Sequence, residues 1–129
     1  MIKKVDENNL SLKKPMEFVL GVTKTGLDII DSRFNMVYID PQWQKVYGDP
    51  TGKKCYQYFM DRDKICPDCG LVKAFRTHKP VSSEELLPKE GNRVVQVTSI
   101  PFKDEKGDWL VAEVNVDLSE RKARKRYSF

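Results

Sequence analysis

Histidine is nearly missing from this sequence of 129 residues, with His78 standing alone. A Cys–His dyad would have to use that one imidazole, and nothing in the sequence places it beside a cysteine. No Gly-rich phosphate loop, His-Glu-x-x-His or Gly-x-Ser-x-Gly occurs, so the corresponding phosphate, zinc-protease and serine-hydrolase signatures are lacking. Glu84 with Glu85, and Asp61 with Asp63, are paired acids only along the chain, as surface acids commonly are. The reading is a domain that is not itself an enzyme. Long apolar runs are missing too, and none nears the roughly 18 residues of a membrane span. Residues 1–14 are too polar for a signal peptide. Three cysteines are too few for a secreted disulfide scaffold. Together these absences predict a cytoplasmic domain whose thiols are available as packing groups, metal ligands or a redox pair.

What is present describes one folded unit. The chain is 40% hydrophobic and 33% charged, enough for a modest core under a wet surface. The formal charge of +4 is uneven, because Arg121, Lys122, Arg124, Lys125 and Arg126 all fall near the end. That segment reads as a solvated helical face or the cut end of a longer chain. A zinc-ribbon-like nucleic-acid module would need a second close pair of ligands, which is lacking, and nucleic acid is not the expected partner.

Local patterning divides the chain into a polar lead-in over 1–14, a folded domain over 15–118 and a basic helix or tail over 119–129. Pro15 can open a short helix through Met16, Phe18, Val19 and Leu20. Apolar segments at 27–30 and 36–39 flank Asp31-Ser32-Arg33-Phe34-Asn35, a polar hairpin turn. Pro41 then suits a first helical turn, with Trp43, Val46 and Tyr47 on one face. Short helices are predicted around 55–59 and over 71–77, the second ended by His78-Lys79-Pro80. Three strands follow, over 81–87, 93–100 and 109–117. In the last, Leu110, Ala112, Val114 and Val116 share one face, and Trp109, Val111, Glu113, Asn115 and Asp117 the other. Asp117 with Glu120 resembles a capping box for a helix beyond the strand, with Ser119 as the alternative cap. The expected class is α+β, with sheet and helices sharing one core.

This order, and several local sequences across about residues 16–122, resemble the PAS superfamily of sensor and interaction domains. Leu27-Asp28-Ile29-Ile30-Asp31 through Met36-Val37-Tyr38-Ile39-Asp40 is similar to the family's opening hairpin, and Asp117-Leu118-Ser119-Glu120-Arg121-Lys122 to its exit motif. Gly52-Lys53-Lys54-Cys55-Tyr56 followed by Cys66-Pro67-Asp68-Cys69 resembles a bacterial and archaeal subgroup with a Gly-Lys-x-Cys-Tyr and Cys-x-x-Cys signature. The resemblance implies about five antiparallel strands with short helices packed on one face. It implies a signal-input domain that binds a small ligand or senses metal or redox state and passes the change to an output helix. The alternative is a dimerisation or docking module with no ligand. A homodimer, and an output domain in the same chain or a signalling partner such as a two-component kinase, are the partners expected.

Several residues could carry such a function. Cys55, Cys66 and Cys69 with His78 could supply three thiolates and one imidazole, for which zinc is the default ion; an iron–sulfur cluster would use His78 awkwardly. The same thiols could instead form a redox pair or simply pack. The flavin-photosensor cysteine motif is lacking, which argues against light sensing. Ile29, Tyr38, Trp43, Tyr56, Phe59, Phe75, Val97 and Ala112 are candidate pocket linings, or else plain core. Trp109, Val111 and Arg93 are assigned to the outer sheet face, where a partner would pack. Asp117, Ser119 and Glu120 are the candidate signal exit.

Overall fold

The computed structural model describes residues 2–23, 25–66 and 69–118, with side chains from residue 12 onward. Helix α1 (Ile2–Val22) comes first, then strands β1 (Thr25–Asp31) and β2 (Met36–Ile39). Three short helices follow, α2 (Pro41–Tyr47), α3 (Cys55–Met60) and α4 (Gly70–Thr77). Strands β3 (Val81–Leu87), β4 (Arg93–Lys103) and β5 (Trp109–Asp117) complete the fold. The strands form one antiparallel sheet in the order β2-β1-β5-β4-β3. This is the expected α+β architecture.

Side-chain chemistry sets the element boundaries. Asp31 Oδ1 accepts the backbone N–H groups of Arg33 and Asn35, both at 2.9 Å, which closes the β1–β2 turn. Asp40, only 2% exposed, accepts from Trp43 N at 3.1 Å and from Leu27 N at 2.7 Å. One carboxylate therefore caps α2 and ties it to β1. Asp40→Ala removes the cap and strands a half-buried amide donor. The expected loss is about 2–3 kcal/mol, read as a fall in the urea midpoint at unchanged slope. Strand β4 runs past its expected end at 100 and through Pro101. Pairing with β3 stops at Ser99, so Pro101 has only β5 beside it. There a missing N–H costs no ladder bond on the β3 side.

The sheet's inner face carries the core. Ile30, Met36, Ile39, Tyr58, Phe59, Leu71, Ala74 and Val111 form one buried cluster beneath the short helices. Leu87, Val95 and Val97 form a second. In α4, Leu71 and Ala74 are buried and Phe75 half-buried, as its periodicity predicts. In α2, Trp43 and Tyr47 turn inward, whereas Val46 is 61% exposed. Val46 and Tyr47 lie about 100° apart around the helix, so turning Trp43 and Tyr47 inward leaves Val46 toward solvent.

Helix formation starts earlier than the sequence suggests. Residues 2–14, expected as a lead-in, belong to α1, which continues through Pro15 to Val22. The helix lies against the outer sheet face, where Tyr38 Oη donates to the Glu17 carboxylate. Leu12, Met16, Leu20, Leu27, Ile29 and Tyr38 line a shallow groove there.

The expected facing of β5 is reversed. Val111 is fully buried and Asn115 is 5% exposed, both toward the helices. Ala112 pairs with Ile29 and Ile100 and shares their outward parity. Trp109, assigned to the outer face, stacks on His78 at the end of α4, ring centroids 3.8 Å apart. Arg93, also assigned outward, has the parity of buried Val95 and Val97 and reaches Asp117 and Glu90. Reading the more apolar face as inward fails because the sheet has helical cover on both sides and its inner face borders a polar-walled cavity.

Candidate functional site

A cavity of about 60 Å³ lies between the inner sheet face and helices α2, α3 and α4. Its apolar wall includes Trp43 from α2, Tyr56, Phe59 and Met60 from α3, and Leu71 from α4. Its polar wall comes from the sheet, with Ser83 and Glu85 on β3, Ser99 on β4, and Glu113 and Asn115 on β5. Strand alternation explains the grouping. Asp28, Glu113 and Ser99 occupy one row across β1, β5 and β4, as do Gly26, Asn115 and Val97. Every second residue of each strand faces the helices.

Gly26 makes room for the indole. A Cβ built there would lie 2.3 Å from Trp43 Cε2, closer than any side-chain carbon can approach. Trp43 also stacks on Tyr47 at 5.7 Å and meets Phe59 edge-on at 5.7 Å. The aromatic wall is thus seated on bare backbone at one side and held by rings at the other.

The polar wall has an unusual charge problem. Asp28 is 1% exposed, and its Oδ2 accepts from Asn115 Nδ2 at 3.1 Å. Among the described residues, no N–H or hydroxyl group donates to Asp28 Oδ1. Its neighbour is Glu113, whose Oε2 accepts from Ser99 Oγ at 3.4 Å. Burial, reinforced by the facing Glu113 carboxylate, pushes the Asp28 carboxyl well above the usual range. Burial also raises Glu113, while contacts with Asp28 and Ser99 pull it back. Two carboxyls cannot both ionise at such a site. The pair therefore titrates as a unit, and Glu113 is the member that faces the cavity.

All three thiols border the same cavity. Cys55 opens α3, Cys69 precedes α4, and Cys66 lies in the loop between them. Burial pushes each thiol up, and the nearby Glu113 carboxylate adds to the shift in every case. Protonated thiols are poor metal ligands and poor nucleophiles. No three His, Cys, Asp or Glu side chains among the described residues are gathered closely enough to hold a metal ion. His78 sits at the far end of α4, against Trp109. The structure therefore brings the thiols to one wall and leaves the imidazole apart. Beyond that wall, an open surface cleft carries Lys73 and Arg76.

Of the eight pocket candidates, Trp43, Tyr56, Phe59 and Val97 line the cavity. Ile29 and Tyr38 instead line the groove under α1, and Ala112 shares their outward face. Phe75 packs edge-on against Phe34 at 6.2 Å, beside the core cluster. Sequence reading missed Glu113, Asn115, Ser99 and Asp28. The available signal was Asp28 between Leu27 and Ile29, a charge inside an apolar strand. Of the signal-exit candidates, Asp117 is described, while Ser119 and Glu120 lie outside the described residues, as does the basic segment 121–126.

Asp117 is tied back to the aromatic wall. Arg93 Nη1 donates to Asp117 at 2.8 Å and Arg93 Nη2 to Glu90 at 2.7 Å. Tyr47 Oη donates to the other Glu90 oxygen. A chain of direct contacts thus runs from Trp43 through Tyr47, Glu90 and Arg93 to the end of β5.

No family model matches the chain, and no curated protein does. Solved structures do. The chain is similar to the PAS domain of an HTR-like protein from Haloarcula marismortui, with a TM-score of 0.58 at 13% identity, covering 89% of this chain and 98% of that one. It is similar to a sensory box sensor histidine kinase from Vibrio cholerae, with a TM-score of 0.56 at 17% identity over 91% and 94% of the two chains. A fungal LOV domain photoreceptor aligns with a TM-score of 0.54 at 18% identity over 74% and 77%. At these identities the likeness is one of architecture, and the fold of this chain is the PAS fold.

Proposed function

We propose that this domain is a signal-input module, not itself catalytic, whose inner cavity takes a small ligand and whose last strand carries the result outward. The observation behind this reading is the cavity wall itself, where Ser99 and Asn115 are almost wholly buried yet face open space. A core built only for stability would fill that space, since a void forfeits packing contacts. Its volume of about 60 Å³ suits a few waters or a very small molecule. Drug-sized sites span roughly 300–1,000 Å³, so a flavin or haem would require the helices to move apart.

Signalling requires the occupant to favour one arrangement of the domain over another. Glu113 and Asn115 lie on β5 itself, and Trp43 reaches Asp117 through Tyr47, Glu90 and Arg93. Both routes converge on the strand that leads to the output segment. Amide hydrogen exchange tests this, comparing the chain as purified with the same chain unfolded, stripped and refolded. Loss of protection over 113–117 on stripping, with 81–87 little changed, is expected. Equal exchange in the two preparations would overturn the proposed route.

A specific observation favours a second reading, in which the outer surface is a dimerisation or docking face. Phe18 is 72% exposed, Val22 66%, Met16 59% and Val19 57%, all on α1. Leu86 and Ile100 add exposed apolar surface on the sheet. Such clusters usually have a partner. Under this reading Phe18→Glu converts a dimer into a monomer in sedimentation velocity, while a chain already monomeric before substitution contradicts it.

A further inference from the structure

Resting on the ligand-cavity reading, we infer that the occupant is a small organic cation of the guanidinium or alkylammonium class, held by Glu113 against the Trp43 and Phe59 rings. The charge of the wall carries this inference. The chain has 23 Lys and Arg residues against 19 Asp and Glu. Yet among the described residues, the charged ones lining the cavity are Glu85 and Glu113, with no Lys, Arg or His beside them. The remaining polar groups, Ser83, Ser99 and Asn115, complete a wall suited to hydrogen-bond donors. A buried carboxylate with no cationic partner is costly, and a cation supplied from outside removes that cost.

Asp28 adds to the acidity behind that wall. It is 1% exposed, its Oδ2 accepts from Asn115 Nδ2, and it stands opposite Glu113 across the β1–β5 ladder. Without an occupant, no cationic side chain among the described lining residues opposes Glu113. Trp43 and Phe59 line the opposite wall, and an aromatic ring attracts a cation placed over its face. The volume limits the ligand to about the size of methylguanidinium or ethylammonium, since a single water takes ~10–15 Å³ on the same measure.

The groups facing Glu113 are Asp28 on β1, Glu85 on β3, Cys55 on α3 and Cys66 and Cys69 beside α4. The nearest basic group to these is Arg62, which acts on Cys66 from the exposed end of the loop. A bound cation favours the ionised form of Glu113, so affinity should strengthen as pH rises through the range in which Glu113 loses its proton, by roughly the linkage of one proton.

The test is isothermal titration calorimetry of the full chain, stripped and refolded, with methylguanidinium chloride, ethylammonium chloride, N-methylurea as a neutral shape match, sodium acetate and zinc chloride. The expected result is binding by one of the two cations, weakened at least about tenfold in Glu113→Gln. Glu113→Gln in the empty chain should melt higher than the parent, because its amide can donate to Asp28 Oδ1. A lower melting temperature with binding unchanged would overturn the assignment and leave Glu113 a structural residue. Binding of N-methylurea or acetate without either cation would overturn the cationic class while the ligand-cavity reading stands. Zinc binding in place of the cations would overturn it in favour of the thiols. Binding of none of the probes, by a chain that also carries no ligand as purified, would overturn both.

Discussion

Asp28→Asn should stabilise the empty domain at neutral pH, by about 1–2 kcal/mol, and flatten its stability between pH 5 and 8. The asparagine keeps the volume of Asp28 and can still accept from Asn115 Nδ2. Its amide can donate to Glu113 without any shared proton. In the parent chain, burial and the Glu113 carboxylate raise the Asp28 carboxyl in the folded state. The folded chain thus holds a proton that the unfolded chain releases near the ordinary value of about 4. The stability contributed by that proton is complete below the unfolded value and is lost as pH rises through the folded one. This runs opposite to acid denaturation driven by salt-bridged carboxylates. Glu113 is shifted in the same direction, so a residual slope should survive in Asp28→Asn and shrink further when Glu113→Gln is added. Urea midpoints at pH 5, 6.5 and 8 provide the readout. A variant less stable than the parent at every pH would mean that Asp28 is paired rather than stranded.

Gly26→Ala should have the larger effect and the opposite sign. The added Cβ would fall 2.3 Å from Trp43 Cε2 and 2.6 Å from Nε1. A ring edge pinned between Tyr47 and Phe59 cannot swing away as a flexible chain end would. Backbone Gly26 also pairs with Asn115, and its carbonyl accepts from Asn115 Nδ2 at 3.3 Å. Strand and helix must therefore separate together. Overpacking of this kind costs about 1–3 kcal/mol and occasionally more. The loss should appear as a lower urea midpoint with a shifted Trp43 fluorescence. Reduced ligand uptake should accompany it, since Trp43 is part of the cavity wall. An unchanged midpoint would show that Trp43 does not rest on this glycine.

The elements were largely legible in the sequence because each carries its own local signal. Asp40-Pro41 starts α2, Asp31 through Asn35 closes the hairpin, and His78-Lys79-Pro80 ends α4. The candidate site was only half legible. Trp43, Tyr56, Phe59 and Val97 stand out as large or apolar residues, and the cavity does use them. The cysteines were legible as a group, and they do share one wall, although His78 does not join them. Which face of β5 turns inward was not legible. Ala112, Val114 and Val116 form the more apolar stripe, but hydrophobicity decides facing only when one side is wet. Here α1 lies over part of the outer face, and the inner face borders a cavity that keeps Glu113 and Asn115. That arrangement depends on a helix whose first residues looked like a polar lead-in. Polar residues such as Ser99 and Glu113 could be recognised as site residues only after strand register aligned them with Asp28.

Native mass spectrometry of the full chain, expressed in cells and purified without oxygen, tests most directly whether the inner cavity is a ligand site. The predicted result is a noncovalent organic adduct of low mass, present on the parent chain and lost in Glu113→Gln. A bare chain under conditions that preserve such adducts would contradict the account and shift the weight to the outer surface as a docking face.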